Sequence, residues 1–358
     1  MGWLDSIISS ESKDVLGLDI SSTNVKLVEL ARSGSTFRLV SCARVPLPAG
    51  AVVDRQIADA EAVGATIAKA VSQSGASTKQ AAVAVAGSTV ITKIIHMPNT
   101  LSEKELEDQI RVEADQYIPY PVDEVNLDFQ VLGVSDRSED MSEVLLAACR
   151  QETVEMREAA IEVAGLKPKV VDVEAHAMEN ACLLLAPQMP DEGANKTIAV
   201  IDIGATNMSV MVLHDMQAIY TREQSFGGHL LTEEVSRHFG MTVEEAEIAK
   251  LDGSLPDNYQ SDVLAHFMED LAQQIDRSLQ FYFAAATQHN EIDQVILAGG
   301  CAAIPGIDKT VQERIKIATV IARPFSDMKT GWKSKKDEIE KLETSMLVAA
   351  GLAMRSFD

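Results

Sequence analysis

The N-terminal part of the chain places short apolar runs between polar turns, a pattern typical of buried strands. Val15–Ile20 is a continuous apolar run with a carboxylate near its end, and Asn24–Leu30 follows a serine-rich turn with alternating apolar and polar positions. Together they predict a hairpin of buried strands. Phe37–Val45 predicts a third strand, Ile57–Ser74 an amphipathic helix, and residues 81–87 another buried strand.

The segment from 88 to 165 has a different pattern and predicts an inserted subdomain. It begins with a strand over Thr89–His96 and continues into an acidic helix that opens at Ser102, with Glu105 three residues later. Such a pair indicates a capping box, in which each side chain binds the backbone N–H group of the other residue. Two more strands and a helix complete the segment.

The second part of the chain repeats the strand–turn–strand pattern. After a polar connection at Met189–Asn195, residues 197–213 predict two more buried strands, and residues 294–300 predict another. A closing helix is predicted over Lys341–Arg355. The predicted divisions are a tail or short helix at 1–13, a first half at 14–87 and 166–195, the inserted subdomain at 88–165, a second half at 196–222 and 291–340, a helical subdomain at 223–290 and a C-terminal helix at 341–358.

Composition and charge narrow the class of protein. A chain of 358 residues suits about two domains, and no apolar run reaches the roughly 18–20 residues that span a bilayer. The net charge of −23 disfavours binding to nucleic acid or to anionic lipid, because both need a basic surface. Four scattered cysteines argue against zinc and disulfides and favour a reducing cytoplasm.

The first twelve residues form a separate short pattern. Trp3, Leu4, Ile7 and Ile8 lie at helical spacing, and no basic residue accompanies them. Because a signal peptide carries a basic N-terminal region, this segment is not predicted to be one. It predicts either a weakly packed terminal helix or a docking helix for a membrane-bound partner.

An internal repeat carries the candidate chemistry. LDISSTNVKLVEL at 18–30 and IDIGATNMSVMVL at 201–213 share an aspartate, an isoleucine, a threonine, an asparagine and a final leucine in one register. Two such units half a chain apart predict two related α/β halves.

The turns within the repeat suit a nucleotide. Small residues let backbone N–H groups approach phosphate oxygens, and hydroxyl groups add donors. Asp19 and Asp202 would repel phosphate directly, so we expect them to hold Mg²⁺ through its water shell. Either turn alone could be only a tight hairpin, but two turns facing each other would clamp a triphosphate. The pair therefore predicts binding of ATP with Mg²⁺.

With the later glycines, the repeat resembles the signature of actin-like ATPases. The parts are a first phosphate turn at Asp19–Lys26, a connecting motif at Val171–Ala181, a second phosphate turn at Ile201–Asn207 and an adenosine motif at Val295–Gly306. The resemblance implies the actin/Hsp70/sugar-kinase superfold, an α/β fold with two related halves around a nucleotide cleft. An FtsA-like subdomain would be inserted in the first half.

The same resemblance implies roles for individual residues. Lys26 falls seven residues after Asp19, where actin carries a lysine that meets the phosphates. Gly227–Gly228, Glu247 and Lys250 resemble the ribose and adenine side of FtsA, although a surface ion pair explains the last two equally well. The residues assigned to the nucleotide are Asp19, Ser21, Ser22, Thr23, Asn24, Lys26, Asp202, Gly204, Ala205, Thr206, Asn207, Gly227, Gly228, Glu247, Lys250, Gly299, Gly300 and Ile304.

Three further segments are similar to the PilM family of the type IV pilus inner-membrane platform: VEADQYIPYPVDEV at 112–125, VDVEAHAMENA at 171–181 and LVAAGLAMR at 347–355. The resemblance implies a cytoplasmic ATP-binding scaffold that supports pilus assembly and twitching motility. It implies a partner, the N-terminal cytoplasmic peptide of a PilN-like membrane protein, in a groove between the inserted subdomain and the first half that involves Thr89–Met97 and Ile110–Tyr120. Other platform or motor proteins would be further partners, and membrane contact would be indirect.

The catalytic pattern departs from that of many relatives. Where actin-like proteins often have Glu-Pro-x-Ala, this chain has Glu174–Ala175–His176–Ala177. Glu174 is the candidate for orienting a water, but a glutamate at a helix N-terminus is also favourable against the helix dipole without any catalytic role. Ser21–Ser22 stands where many relatives carry glycine. At most a slow ATPase is therefore expected.

Two other functions use the same fold. One is an FtsA-like filament-forming cell-division protein, and the other is a small-molecule kinase. FtsA ends in a detached basic amphipathic helix, which is not found in this sequence, and a kinase needs a substrate pocket with an aspartate base. Neither feature is visible in the sequence, so the pilus scaffold is the favoured hypothesis.

Overall fold

The structure is a computed structural model that describes residues 14–34, 36–135, 138–330 and 336–357. The tail or helix predicted for residues 1–13 lies outside the described residues. Within these ranges the chain forms two main sheets flanked by helices, a smaller three-stranded sheet and a two-stranded hairpin. No described helix combines the length and apolar character that crossing a bilayer requires.

The strands and helices follow the chain in this order. The strands are β1 (Leu16–Ile20), β2 (Asn24–Ser33), β3 (Thr36–Pro46), β4 (Val52–Val53), β5 (Gln56–Ile57), β6 (Gln80–Val85), β7 (Val90–Pro98), β8 (Val125–Ser135), β9 (Ser138–Arg150), β10 (Lys167–Val173), β11 (Thr197–Ile203), β12 (Met208–His214), β13 (Gln217–Gln224), β14 (Gln294–Ala298), β15 (Thr319–Ile321) and β16 (Lys329–Thr330). The helices are α1 (Ala60–Ser74), α2 (Glu103–Glu113), α3 (Gln151–Val163), α4 (Glu174–Cys182), α5 (Gly228–Phe239), α6 (Val243–Asp252), α7 (Ala265–Ala285), α8 (Ile307–Ile315), α9 (Lys336–Leu342) and α10 (Leu347–Met354).

The two main sheets share a central arrangement. The first has the order β10-β6-β1-β2-β3-β16 and the second β13-β12-β11-β14-β15. In each, the first strand of the repeat pairs antiparallel with its hairpin partner and parallel with a later strand: β1 with β2 and β6, β11 with β12 and β14. Every residue of β1 is buried, as its continuous apolar run requires. The repeat thus occupies equivalent central positions in both sheets.

The inserted segment folds as a small sheet with the order β7-β9-β8, covered by α2. Helix α2 begins with the predicted capping box between Ser102 and Glu105. Ile110 and Ile118 pack with Leu146 of β9 in the core of this subdomain. Strand β7 is an edge strand of this sheet, and its Ile91 and Lys93 line a groove together with residues 116–119, which follow α2.

Helix α10 lies against β1 and α4 at close range, and two glycines permit this. A methyl group added at Gly17 would lie 1.9 Å from the carbonyl oxygen of Ala349, and one added at Gly351 would lie 1.7 Å from that of Ala177. Leu347 of α10 also belongs to an apolar cluster with β11 and β14. The helix therefore joins the cores of both halves.

Two features near the C-terminal end differ from the sequence prediction. The helix predicted over Lys341–Arg355 is interrupted by a 3₁₀ turn at Glu343–Ser345, which separates α9 from α10. Strand β16 falls in the segment 291–340 assigned to the second half, yet it pairs in parallel with β3 of the first sheet. A two-residue strand has too little periodicity to be seen in a sequence.

Candidate nucleotide cleft

The first turn of the repeat is fixed by the register of its hairpin. Strands β1 and β2 pair with Asp19 opposite Lys26, and the Lys26 ammonium donates to the Asp19 carboxylate over 2.7 Å. Within the turn, the backbone N–H and the hydroxyl of Ser21 both donate to the Asn24 carbonyl. The Asn24 side chain donates to the Thr23 hydroxyl over 2.8 Å. Asp19 is buried, whereas the tip of the turn is accessible.

The second turn meets the first directly. Its backbone closes through a 2.9 Å hydrogen bond from the Gly204 N–H to the Asn207 carbonyl. The hydroxyl oxygens of Thr206 and Ser22 lie 3.1 Å apart, although 184 residues separate them in the chain. The two repeated turns therefore face each other across the cleft between the halves.

The charged groups behind the turns shift one another's pKa. Burial lowers the pKa of Lys26, but Asp19, Asp202 and Glu174 together raise it above its ordinary value. Burial also raises the pKa of Asp202 to about 6, against the opposing effect of Lys26. Lys26 thus remains a cation between acidic groups of both halves, as a phosphate-binding lysine must.

The structure adds an arginine that the sequence analysis missed. Arg55 lies in the turn between β4 and β5 and donates to Glu223 of β13 over 2.7 Å and to Glu174 at the start of α4. Burial raises the pKa of Glu174 to about 7, although Arg55 opposes the shift. The predicted catalytic glutamate is therefore engaged in an ion pair, and the same arginine links the first half to the second sheet through Glu223.

Arg157 of α3 lies directly behind this arginine. Only 2% of its surface is exposed, and its guanidinium donates to the carbonyl oxygens of Arg55, Ala84 and Thr153. Burial lowers its pKa, and Glu174 opposes that shift. A buried cation surrounded by carbonyls fixes the backbone that carries Arg55. No local sequence signal identified it, because all but one of its partners are distant in the chain.

The residues predicted for the ribose and adenine side also come together. Lys250 forms a 2.8 Å ion pair with Glu247, and both side chains hydrogen-bond the Thr232 hydroxyl. The Gly228 N–H donates to the Gly204 carbonyl over 3.0 Å, which joins α5 to the second turn. A methyl group added at Gly227 would lie 2.5 Å from the Ala205 carbonyl oxygen. The ion pair thus joins α6 to α5, and α5 in turn contacts the second turn.

The adenosine motif follows β14 at the same end. Gly299 has φ of +88°, and a methyl group there would lie 2.3 Å from the Ile203 carbonyl oxygen. Nothing lies within 4 Å of the equivalent position at Gly300, and Ile304 is partly buried against the core of the second half. Gly299 is needed for packing, whereas Gly300 leaves open space beside the cleft.

The inserted subdomain carries a separate groove of 540 Å³. It lies between β7 and the segment after α2, in the two segments predicted for a peptide-binding groove, but its lining residues belong to the inserted subdomain and not to the first half. The residues that line it are Ile91, Lys93, Gln116, Tyr117, Ile118 and Pro119.

The sequence profile of a protein family described as "Type IV pilus assembly protein PilM" matches residues 17–357. The chain belongs to the PilM family. The resemblance found in the sequence is confirmed, and it covers nearly the whole chain.

Solved structures agree with this assignment to the PilM family. A "PilM-PilN type IV pilus biogenesis complex" matches with a TM-score of 0.78 and 26% identity, covering 96% of this chain and 99% of that one. Ethanolamine utilization protein EutJ from Carboxydothermus hydrogenoformans matches with a TM-score of 0.57 and 16% identity, over 95% and 88% of the two chains. The second match concerns the fold alone. The predicted actin-like α/β fold is confirmed for this PilM-family protein.

Proposed function

We propose that this chain is an ATP–Mg²⁺-binding scaffold of the type IV pilus inner-membrane platform. The observation that carries the proposal is the 3.1 Å contact between Ser22 and Thr206, which brings the repeated turns of both halves face to face. Membership of the PilM family supports the role in pilus assembly, and the match to a PilM–PilN complex supports a PilN-like partner.

The residues of the cleft fit a nucleotide. Backbone N–H groups and hydroxyls of the two turns would hold the phosphates, and Lys26 would neutralise part of their charge. Asp19 and Asp202 would hold Mg²⁺ through water, and the bound ion would supply positive charge to the phosphate oxygens. Open space at Gly300 and the polar group around Lys250 suit the adenosine end.

The environment of Glu174 supports binding without rapid turnover. Its carboxylate already accepts from Arg55 through Oε2, and this contact competes with a water for that oxygen. The paired state of this glutamate favours a site that holds ATP to stabilise one conformation. We therefore propose at most slow hydrolysis.

The groove of the inserted subdomain is proposed to bind the N-terminal cytoplasmic peptide of the PilN-like protein. It is bounded by one edge of β7 and by Tyr117, Ile118 and Pro119, and this combination suits an extended peptide with alternating apolar anchors. Such a partner would hold the protein at the cytoplasmic face of the inner membrane. Pilus assembly and twitching motility would then be the cellular readouts.

Calorimetric titration with ATP and Mg²⁺ tests the nucleotide site. Lys26→Ala is expected to lower ATP affinity on the order of 100-fold, because a charge-assisted contact to phosphate is lost, and Asp202→Ala by a similar factor, because its contact to Mg²⁺ through water is lost. Lys69→Ala, at an exposed position of α1, is the control and should bind as the wild type does. Circular dichroism checks that each variant is folded. Unchanged affinity in both cleft variants would refute the assignment.

A further inference from the structure

Arg55 sits in a turn whose backbone is unusual for its sequence. Asp54 and Arg55 both have positive φ, 48° and 65°, in the two-residue turn between β4 and β5. Backbone with positive φ favours glycine or asparagine, so an arginine in this conformation needs tertiary contacts to hold it. The contact is present: the buried Arg157 guanidinium donates to the Arg55 carbonyl over 3.2 Å.

The side chain of Arg55 faces the cleft between the halves. It contacts Glu174 and Glu223, and only 16% of it is exposed. It lies within electrostatic reach of the second turn, because its charge opposes the rise in the pKa of Asp202. A guanidinium has five N–H donors, so two carboxylates can engage it while donors remain for a phosphate oxygen.

Arg55 has different neighbours from the residues that are predicted to bind the adenosine. Its partner Glu223 lies beside Gly87, where the chain enters the inserted subdomain, and a methyl group at Gly87 would lie 3.1 Å from that carboxylate. Lys250 of α6 donates to the Gly228 carbonyl at the start of α5, and Gly300 follows the end of β14. Strands β1, β6 and β10 run parallel and end together, so Glu174 and the first turn lie at the same edge of the first sheet, and Arg55 reaches that edge through its contact with Glu174.

We propose that Arg55 binds the terminal phosphate of the nucleotide and makes the cleft prefer a nucleoside triphosphate to a diphosphate, with Arg157 as the residue that positions it. The inference rests on the proposed nucleotide function. A planar guanidinium suits this role because it contacts two phosphate oxygens at once. Glu174 and Glu223 hold the guanidinium in the cleft from both halves before the phosphate arrives.

Titration calorimetry with Mg²⁺–ADP and a non-hydrolysable ATP analogue tests the proposal. Arg55→Ala is expected to lower affinity for the ATP analogue roughly 10- to 100-fold while changing affinity for ADP by less than about threefold. Arg55→Lys should retain part of the preference. Arg38→Ala, an exposed arginine of β3, should behave as the wild type.

The outcomes separate this proposal from the simpler idea that Arg55 only ties the halves together. Equal losses for both nucleotides, or no loss for either, would overturn it. If the wild type binds neither nucleotide, the proposed function itself fails. Arg157→Gln, with folding checked by circular dichroism, should narrow the preference for the ATP analogue over ADP, whereas a purely structural Arg157 would leave that ratio unchanged.

Discussion

Asp19 and Lys26 face each other because the hairpin register places them on paired positions of β1 and β2. Both copies of the sequence repeat contain the two strands, the turn between them and the aspartate, so both turns and their aspartates could be identified without a structure. Arg55 could not. Its hairpin consists of two-residue strands, and its carboxylate partners lie 119 and 168 residues away. Local patterns do not reveal contacts of that range.

Glu174 provides a prediction about pH. Its pKa rises from an ordinary 4.5 to about 7 in the folded protein, so the folded state binds the proton more tightly than the unfolded state. The free energy of unfolding should therefore fall as pH rises from about 4.5 to about 7, by roughly 1–3 kcal/mol from this group.

Glu174→Gln should remove that part of the pH dependence. Urea unfolding at pH 5 and pH 7 measures it, and Glu61→Gln, at an exposed position of α1, is the control. A Glu174→Gln protein whose stability changes with pH as steeply as that of the wild type would contradict the assignment.

At the scale of elements, strongly periodic segments were predicted well, whereas the two-residue strands, the eight-residue β13 and the nine-residue α8 were missed. Helix α1 ends at Gly75 in the left-handed conformation, and α2 opens with its capping box, so both have local signals. The break between α9 and α10 at Glu343–Ser345 has no such local sequence signal. It is accompanied by tertiary contacts, including the 2.6 Å hydrogen bond from the Gly299 N–H to the Thr344 carbonyl.

The packing of α10 on α4 gives a prediction about stability. Gly351→Ala places a methyl group 1.7 Å from the Ala177 carbonyl oxygen, and backbone cannot move aside as a flexible side chain can. We expect the free energy of unfolding to fall by about 2–4 kcal/mol. Gly300→Ala, whose methyl group meets open space, should change stability little, and urea unfolding compares the two. Similar stabilities would show that α10 can shift.

Strand β7 gives a prediction about the partner. Ile91 lines the groove, whereas Ile94 is 57% exposed and lies outside it. Ile91→Glu should weaken binding of a PilN-like N-terminal peptide at least about tenfold, because it places a charge in the apolar site. Fluorescence anisotropy with a labelled peptide measures this, with Ile94→Glu as the matched control. Equal effects of both variants would argue for another binding surface.

For the molecule as a whole, the distance between the two turns can be used to detect whether a nucleotide occupies the cleft. Ser22→Cys with Thr206→Cys would place two thiols where hydroxyls now lie 3.1 Å apart, and the four native cysteines are buried. Mild oxidation should cross-link the double variant but neither single variant. Because a triphosphate needs the space and the donors of both turns, ATP with Mg²⁺ should slow the reaction. Gel mobility measures it, and faster cross-linking with ATP would contradict that arrangement.

The strand β16 has a consequence for assembly. The chain passes from the first half to the second after α4 and returns after β15, where β16 joins the edge of the first sheet. Exchange of one half between two copies would therefore have to open both crossings at the same time. The topology therefore disfavours domain-swapped dimers.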